Sequence, residues 1–144
     1  MNKILKKIKI PAKVNQQKIE KFFIANKLGQ LVKLSKSSKP LSVNEIVSNN
    51  LPSYPPILSD LYRLYNFVIL NKRTTILEFG SGWSTLIFNL ALSVNKMKYS
   101  MEIKNLRRNT PFELFVLENK KKFLSKIKKR ISFFKKSLNK KKFS

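Results

Sequence analysis

The chain has 144 residues, 42% of them hydrophobic, which is enough for one domain with a modest core. It contains no cysteine and no histidine and only seven acidic residues, which argues against disulfides, thiol nucleophiles, histidine general bases and the usual metal sites. Its formal charge of +24 indicates either affinity for polyanions or a lysine-rich coding bias.

The basic residues are mostly lysine, with only five arginines among 31. Because arginine is the side chain that pairs bidentately with phosphate, this balance favours compositional bias over a dedicated polyanion site. Non-specific polyanion binding remains a prediction. The apolar runs are too short for a signal peptide or a spanning helix. We therefore predict a soluble, cytoplasmic protein with no integral membrane association.

The first 50 residues are predicted to form a basic, helical N-terminal region. Residues 1–14 are a basic leader, and residues 16–34 carry apolar side chains near helical spacing, interrupted by Gly29. After a polar break, Ser42 and Glu45 fit a capping box, which predicts a short helix ending near residue 50.

Residues 51–144 are predicted to form a second region of alternating helices and strands. Residues 51–56 contain three prolines and predict an extended linker. Residues 57–69 have an apolar helical repeat, residues 74–79 are short and β-branched like a strand, and residues 86–94 have another helical face.

The remainder of the chain continues this alternation. Residues 95–111 are polar and are not assigned to an element, whereas residues 112–117 predict a second buried strand. A basic helix is predicted over residues 123–131, and a third strand is predicted to start within residues 131–134. The order predicts an α/β fold with a parallel sheet of about three strands.

The strongest local signal is the loop after the first predicted strand. Gly80 and Gly82 allow a sharp turn and a close approach of the backbone to a ligand, and the next helix begins near Ser84. A phosphate-binding P-loop is not predicted, because no lysine follows Gly82 until Lys96. A dinucleotide fingerprint would require a third glycine at Thr85.

Glu78 adds a negative charge just before this loop, which would repel a pyrophosphate but suits a cationic ligand. The segment from Leu77 to Gly82 resembles motif I of class I S-adenosylmethionine-dependent methyltransferases, and its continuation, Trp83-Ser84-Thr85, is similar to one bacterial branch of that family. The resemblance implies an incomplete Rossmann-like fold with S-adenosylmethionine as cofactor. The cofactor-binding residues that it implies are Glu78, Gly80, Ser81, Gly82, Trp83, Ser84 and Glu118.

In the family, an acid after the second strand binds the ribose hydroxyls, and Glu118 is similar in position and type. Its separation from Gly80 is longer than usual, so the resemblance implies an insertion at residues 95–111. A solvated acid at a helix N-terminus is the alternative interpretation of Glu118. Trp83 is expected either to stack on the cofactor or to pack the helix start on the core.

A complete family sheet has seven strands, and no acidic residue follows Glu118. The resemblance therefore implies a truncated or split methyltransferase, or a sheet completed by self-pairing or by a second polypeptide. Independent activity is not expected, and neither the catalytic residues nor the methyl acceptor is identified.

A basic nucleic-acid-binding module without catalysis is the alternative function. It is suggested by the lysines of residues 120–129, which alternate with apolar residues. The competing interpretation is a solvated helix whose apolar side packs on the sheet.

Overall fold

The computed structural model describes residues 8–37, 54–105 and 110–139. The chain divides into two compact units, Val14–Asp60 and a unit made of Met1–Lys13 with Leu61–Ser144. The predicted boundary near residue 50, the capping-box helix and part of the proline linker lie outside the described residues, as do residues 1–7 of the leader. No helix in the described ranges is long and apolar enough to cross a membrane.

The unit Val14–Asp60 contains a helical hairpin of α1 (Gln16–Ala25) and α2 (Gly29–Ser37). Asn15 caps α1, because its side-chain oxygen accepts a hydrogen bond from the Lys18 amide at 2.9 Å. Residues 16–34, whose helical spacing Gly29 was expected to interrupt, form two helices: Lys27 adopts a φ of 59° between them, and α2 begins at Gly29. Buried apolar side chains form the hairpin's core: Ile19, Phe23, Leu28, Leu31 and Val32.

The helix predicted at residues 57–69 is confirmed as α3 (Leu58–Leu70). It ends where Lys72 has a φ of 48° and the Arg73 amide donates to the Val68 carbonyl at 3.0 Å. Strand β1 (Thr75–Phe79) follows directly, and α4 (Trp83–Tyr99) begins after the glycine loop.

Strand β2 (Glu113–Leu117) pairs with β1 in parallel, and the register runs from Thr75 opposite Glu113 to Phe79 opposite Leu117. Helix α4 connects the two strands and packs against both. The side of the sheet that carries Ile76 and Leu114 packs against a small core, formed by Val68, Ala91 and Leu92. The structure is therefore mixed α/β with a parallel sheet, as predicted.

The predicted strand count is wrong, because the described sheet has two strands. Residues 131–134, expected to start a third strand, lie inside helix α5 (Lys121–Asn139). No proline or glycine interrupts this segment, and lysine favours helix, so the helical repeat that includes Phe123, Ile127 and Ile131 continues.

The polar segment at residues 95–111 is also not wholly a loop. Helix α4 extends through its first five residues to Tyr99, and a 3₁₀ helix covers Glu102–Asn105. Residues 106–109 lie outside the described residues. Asn95 is fully buried, and its side-chain amide donates to the carbonyls of Val68 at 3.3 Å and Arg73 at 2.8 Å. Asn95, the first residue of the unassigned polar segment, therefore connects α4 to the C-terminal end of α3.

Candidate functional site

The glycine loop turns the chain from the end of β1 into α4. Gly80 has a φ of 83°, a left-handed conformation that L side chains rarely adopt. Its amide donates to the Leu117 carbonyl at 2.7 Å, which fixes the loop to the end of β2. A Cβ added to Gly80 would meet no atom within 4 Å, so glycine is required here by the backbone conformation and not by crowding.

Gly82 serves as the N-cap of α4 in an extended conformation that any residue can adopt. Its amide donates to the Thr85 hydroxyl at 2.9 Å. Thr85 itself is buried, with 1% of its surface exposed. Thr85 is not among the predicted site residues, although a hydroxyl three residues after a helix cap is a recognisable signal.

Glu118 lies directly after β2 and is hydrogen-bonded to the glycine loop. Its Oε2 accepts from the Ser81 amide at 2.9 Å and from the Ser81 hydroxyl at 2.8 Å. Its Oε1 accepts from the Lys120 amide at 2.9 Å. The hydrogen bonds from Lys120 and Ser81 lower the pKa of Glu118, so this carboxylate is ionised at neutral pH.

Glu78 occupies a different environment near the start of α4, with only 9% of its surface exposed. Its Oε1 accepts a short hydrogen bond from the Ser84 hydroxyl, whereas Oε2 has no partner among the described residues. Burial raises the pKa of Glu78, and the Ser84 and Thr85 hydroxyls partly oppose this shift. A carboxyl group in this state is stabilised by taking up a proton or by gaining a cationic donor.

Trp83 is the first residue of α4 and packs against α5. The guanidinium of Arg130 lies 3.7 Å from the centroid of the Trp83 ring, a cation–π contact. Burial lowers the pKa of Arg130. Arg130 was not predicted from the sequence, because nothing in its spacing from the loop indicates that α5 approaches the start of α4.

An open depression lies beside the loop, with a volume of about 490 Å³. It is lined by Gly80, Leu117, Glu118 and Asn119, so the ends of both strands contribute to it. Of the predicted site residues, Gly80 and Glu118 line the depression and Ser81 bonds to Glu118. Glu78 and Ser84 instead form a part-buried, hydrogen-bonded pair at the start of α4.

The arrangement places an ionised carboxylate and a glycine backbone around an open space, with a second carboxyl group buried behind them. Such a site can accept hydrogen bonds from hydroxyl or ammonium groups and disfavours phosphates. No protein-family model, curated protein or solved structure matches this chain.

Proposed function

We propose that this chain binds S-adenosylmethionine at the carboxyl ends of β1 and β2, as a methyltransferase-like protein without independent activity. The observation that carries the proposal is the hydrogen bonding of Glu118 to Ser81, which joins an acid after the second strand to the glycine loop after the first. The motif resemblance implies that this loop and this acid both contact the cofactor, which requires them to lie close together.

Glu118 is suited to a ligand with vicinal hydroxyls. An ionised carboxylate offers about four acceptor positions, and three are occupied by the Ser81 amide, the Ser81 hydroxyl and the Lys120 amide. The Asn119 amide also hydrogen-bonds to this carboxylate, so a ribose hydroxyl would be accepted at the position of the Ser81 hydroxyl once that hydroxyl turns away. The adjacent Gly80 has no Cβ and leaves the space in front of the loop open.

Glu78 is suited to the cationic end of the same ligand. S-adenosylmethionine carries a sulfonium and an ammonium group, and a nearby positive charge favours the ionised form of a buried carboxyl group. The Oε2 of Glu78 has no hydrogen-bond partner among the described residues, and it is the acceptor that such a group would satisfy. Both acids disfavour a nucleotide whose phosphates would lie at the loop.

The chain's contribution to methyl transfer would be positional. Holding the cofactor by the loop and Glu118 orients its methyl group for in-line attack by an acceptor nucleophile. The described residues contain no histidine or cysteine base, and we assign no catalytic residue. The methyl acceptor is not identified.

Isothermal titration calorimetry with S-adenosylhomocysteine tests the proposal. We expect saturable binding to the full chain and a loss of affinity of about tenfold or more in Glu118→Gln, which weakens acceptance of ligand hydroxyls. Glu113→Gln is the matched control, because Glu113 is an exposed acid at the opposite end of β2. Absence of binding by a chain with a folded circular-dichroism spectrum would rule out the proposed site.

A second candidate function is polyanion binding through α5. The helix contains no acidic residue, and its lysines at 121, 122, 126, 128 and 129 are exposed while Ile127 is buried on the opposite side. A gel-shift with a random DNA duplex across a salt series tests this function. Contacts to phosphates predict affinity that falls steeply with salt, whereas binding that does not change with salt would exclude it.

A further inference from the structure

One side of α5 carries exposed lysines in two rows. With about 100° of rotation per residue, the two rows lie about 110–120° apart around the helix axis. The first row is Lys121 and Lys128, and the second row is Lys122, Lys126 and Lys129. Ser125 is also exposed and lies between the two rows. We call these lysines the α5 lysine rows.

No acidic side chain within α5 offsets the charge of these rows. The sequence has no Asp or Glu after Glu118, and the carboxylate of Glu118 already accepts hydrogen bonds from Ser81 and from the Lys120 amide. Lysines four residues apart on a helix, such as Lys122 and Lys126, repel each other. The α5 lysine rows are therefore a local concentration of positive charge, which a polyanion would neutralise.

The opposite side of α5 packs within the fold. Ile127 is 3% exposed there, and Phe123, Leu124 and Ile131 are half-buried. A helix that binds a membrane surface buries its apolar side among the lipids. Because the apolar side of α5 packs within the unit that also contains α4, this helix does not fit a membrane as its partner.

We propose that the α5 lysine rows bind the phosphate backbones on the two sides of the major groove of a DNA duplex, without preference for its sequence. The inference rests on the second candidate function, polyanion binding through α5, and identifies the partner. An α-helix with its side chains is about 10–12 Å across, and the major groove of DNA is about 12 Å wide. Two rows on different sides of such a helix face the two backbones.

The residue types on the exposed side of α5 favour a duplex of DNA over other nucleic acids. Ser125 faces the base edges between the two rows, and a serine hydroxyl does not discriminate between bases. Through Ser132, this side has no exposed aromatic ring on which the bases of a single strand would stack. Double-stranded RNA is disfavoured because its major groove is too narrow for side chains to read.

Fluorescence anisotropy with a labelled DNA duplex of about 20 base pairs, measured on the full chain across a salt series, tests the proposal. The row variant combines Lys122→Gln, Lys126→Gln and Lys129→Gln, and glutamine has nearly the helix propensity of lysine. The matched control removes three exposed lysines of α1 and α2, so its net charge falls by the same amount: Lys18→Gln, Lys21→Gln and Lys33→Gln.

Each phosphate that a lysine neutralises contributes about 0.9 to the slope of log affinity against log salt concentration. We expect the row variant to lose about 2–3 from this slope, and the matched control to keep the slope of the wild-type chain. Lys121→Gln combined with Lys128→Gln removes the other row and should lower the slope by about 2. Equal losses in the row variant and the matched control would show that net charge alone binds the duplex, and would overturn the proposal.

Other ligands of the same assay identify the partner. A duplex of unrelated sequence should bind as tightly as the first, whereas a single strand and an RNA duplex of equal length should bind at least fivefold more weakly. Tighter binding to either of these, or to vesicles of anionic phospholipid, would replace the DNA duplex as the partner. No binding to any polyanion would refute the second candidate function itself, whereas equal binding to all of them would refute only the choice of partner.

Discussion

The conformation of Gly80 makes a quantitative prediction for Gly80→Ala. An L residue in the left-handed region costs about 1–2 kcal/mol, and Gly80 has a φ of 83°. No atom lies within 4 Å of the added Cβ, so there is no steric contribution. Alanine also lowers the conformational entropy of the unfolded chain, and this effect stabilises the folded state by about 0.4–1 kcal/mol. The net loss of unfolding free energy is therefore expected to be roughly 1 kcal/mol.

Urea denaturation followed by the fluorescence of Trp83 measures this loss, because the chain has a single tryptophan and it lies at the loop. For a slope of about 2 kcal/mol per molar urea, the midpoint should fall by about 0.5 M. The midpoint of Gly80→Asn should fall less, since asparagine tolerates the left-handed region better than alanine.

Gly82→Ala is the matched control for Gly80→Ala. Gly82 has an extended φ of −164°, which alanine adopts without strain, and its Cβ would lie 3.9 Å from the Ser84 hydroxyl oxygen. The hydrogen bond from the Gly82 amide to the Thr85 hydroxyl is retained in this variant. We therefore expect its unfolding free energy to change by no more than about 0.5 kcal/mol. Equal losses in the two alanine variants, or no loss in Gly80→Ala, would refute the argument from backbone conformation.

Three further substitutions test the surroundings of the loop. Glu78→Gln should weaken the decline in unfolding free energy as pH rises above 4.5, measured by urea denaturation at each pH, because it removes a carboxyl group whose pKa is raised by burial. Asn95→Ala should lower the unfolding free energy by about 1–2 kcal/mol in the same assay, because the Arg73 carbonyl loses its side-chain donor, whereas the Val68 carbonyl still accepts from the Arg73 amide. Arg130→Gln should shift the emission of Trp83 and cost about 0.5–1 kcal/mol, whereas the exposed neighbour variant Lys129→Gln should do neither.

The direction in which the pKa of Glu78 shifts determines how stability changes with pH. The unfolded chain releases this proton near the ordinary pKa of 4.5, whereas the folded chain holds it to higher pH. The contribution of Glu78 to the unfolding free energy is therefore fully present below the unfolded pKa and is lost as pH rises through the raised pKa of the folded state. The pKa values of Glu118 and Glu20 are lowered, so these two acids change the unfolding free energy only below pH 4.5. The chain has no histidine. A wild-type stability that rises as pH increases from 4.5 toward neutral would contradict this account.

Two outcomes would contradict the remaining predictions. If Asn95→Ala unfolds at the wild-type urea concentration, its two hydrogen bonds contribute nothing net. If the emission of Trp83 is the same in Arg130→Gln and Lys129→Gln, the cation–π contact does not persist in solution.

Local features of the sequence were sufficient to predict much of the second region. The apolar repeat of α3 and the β-branched run of β1 depend on short-range periodicity, and both elements were predicted within one residue of their observed bounds. The need for glycine at position 80 also follows locally, since the turn from strand to helix uses a left-handed residue. The order of elements then predicted a parallel pair of strands, which the register confirms.

Only the tertiary structure decided which distant residues meet. Ser81 bonds to Glu118 because parallel pairing brings the ends of β1 and β2 to the same edge, and Arg130 reaches Trp83 because α5 packs on α4. The failure at residues 131–134 has the same origin, since a short apolar run is compatible with helix or strand and its neighbours decide between them. Burial, not residue type, likewise separates the two acids: Glu118 is ionised at an open edge, whereas Glu78 is buried behind the loop with its pKa raised.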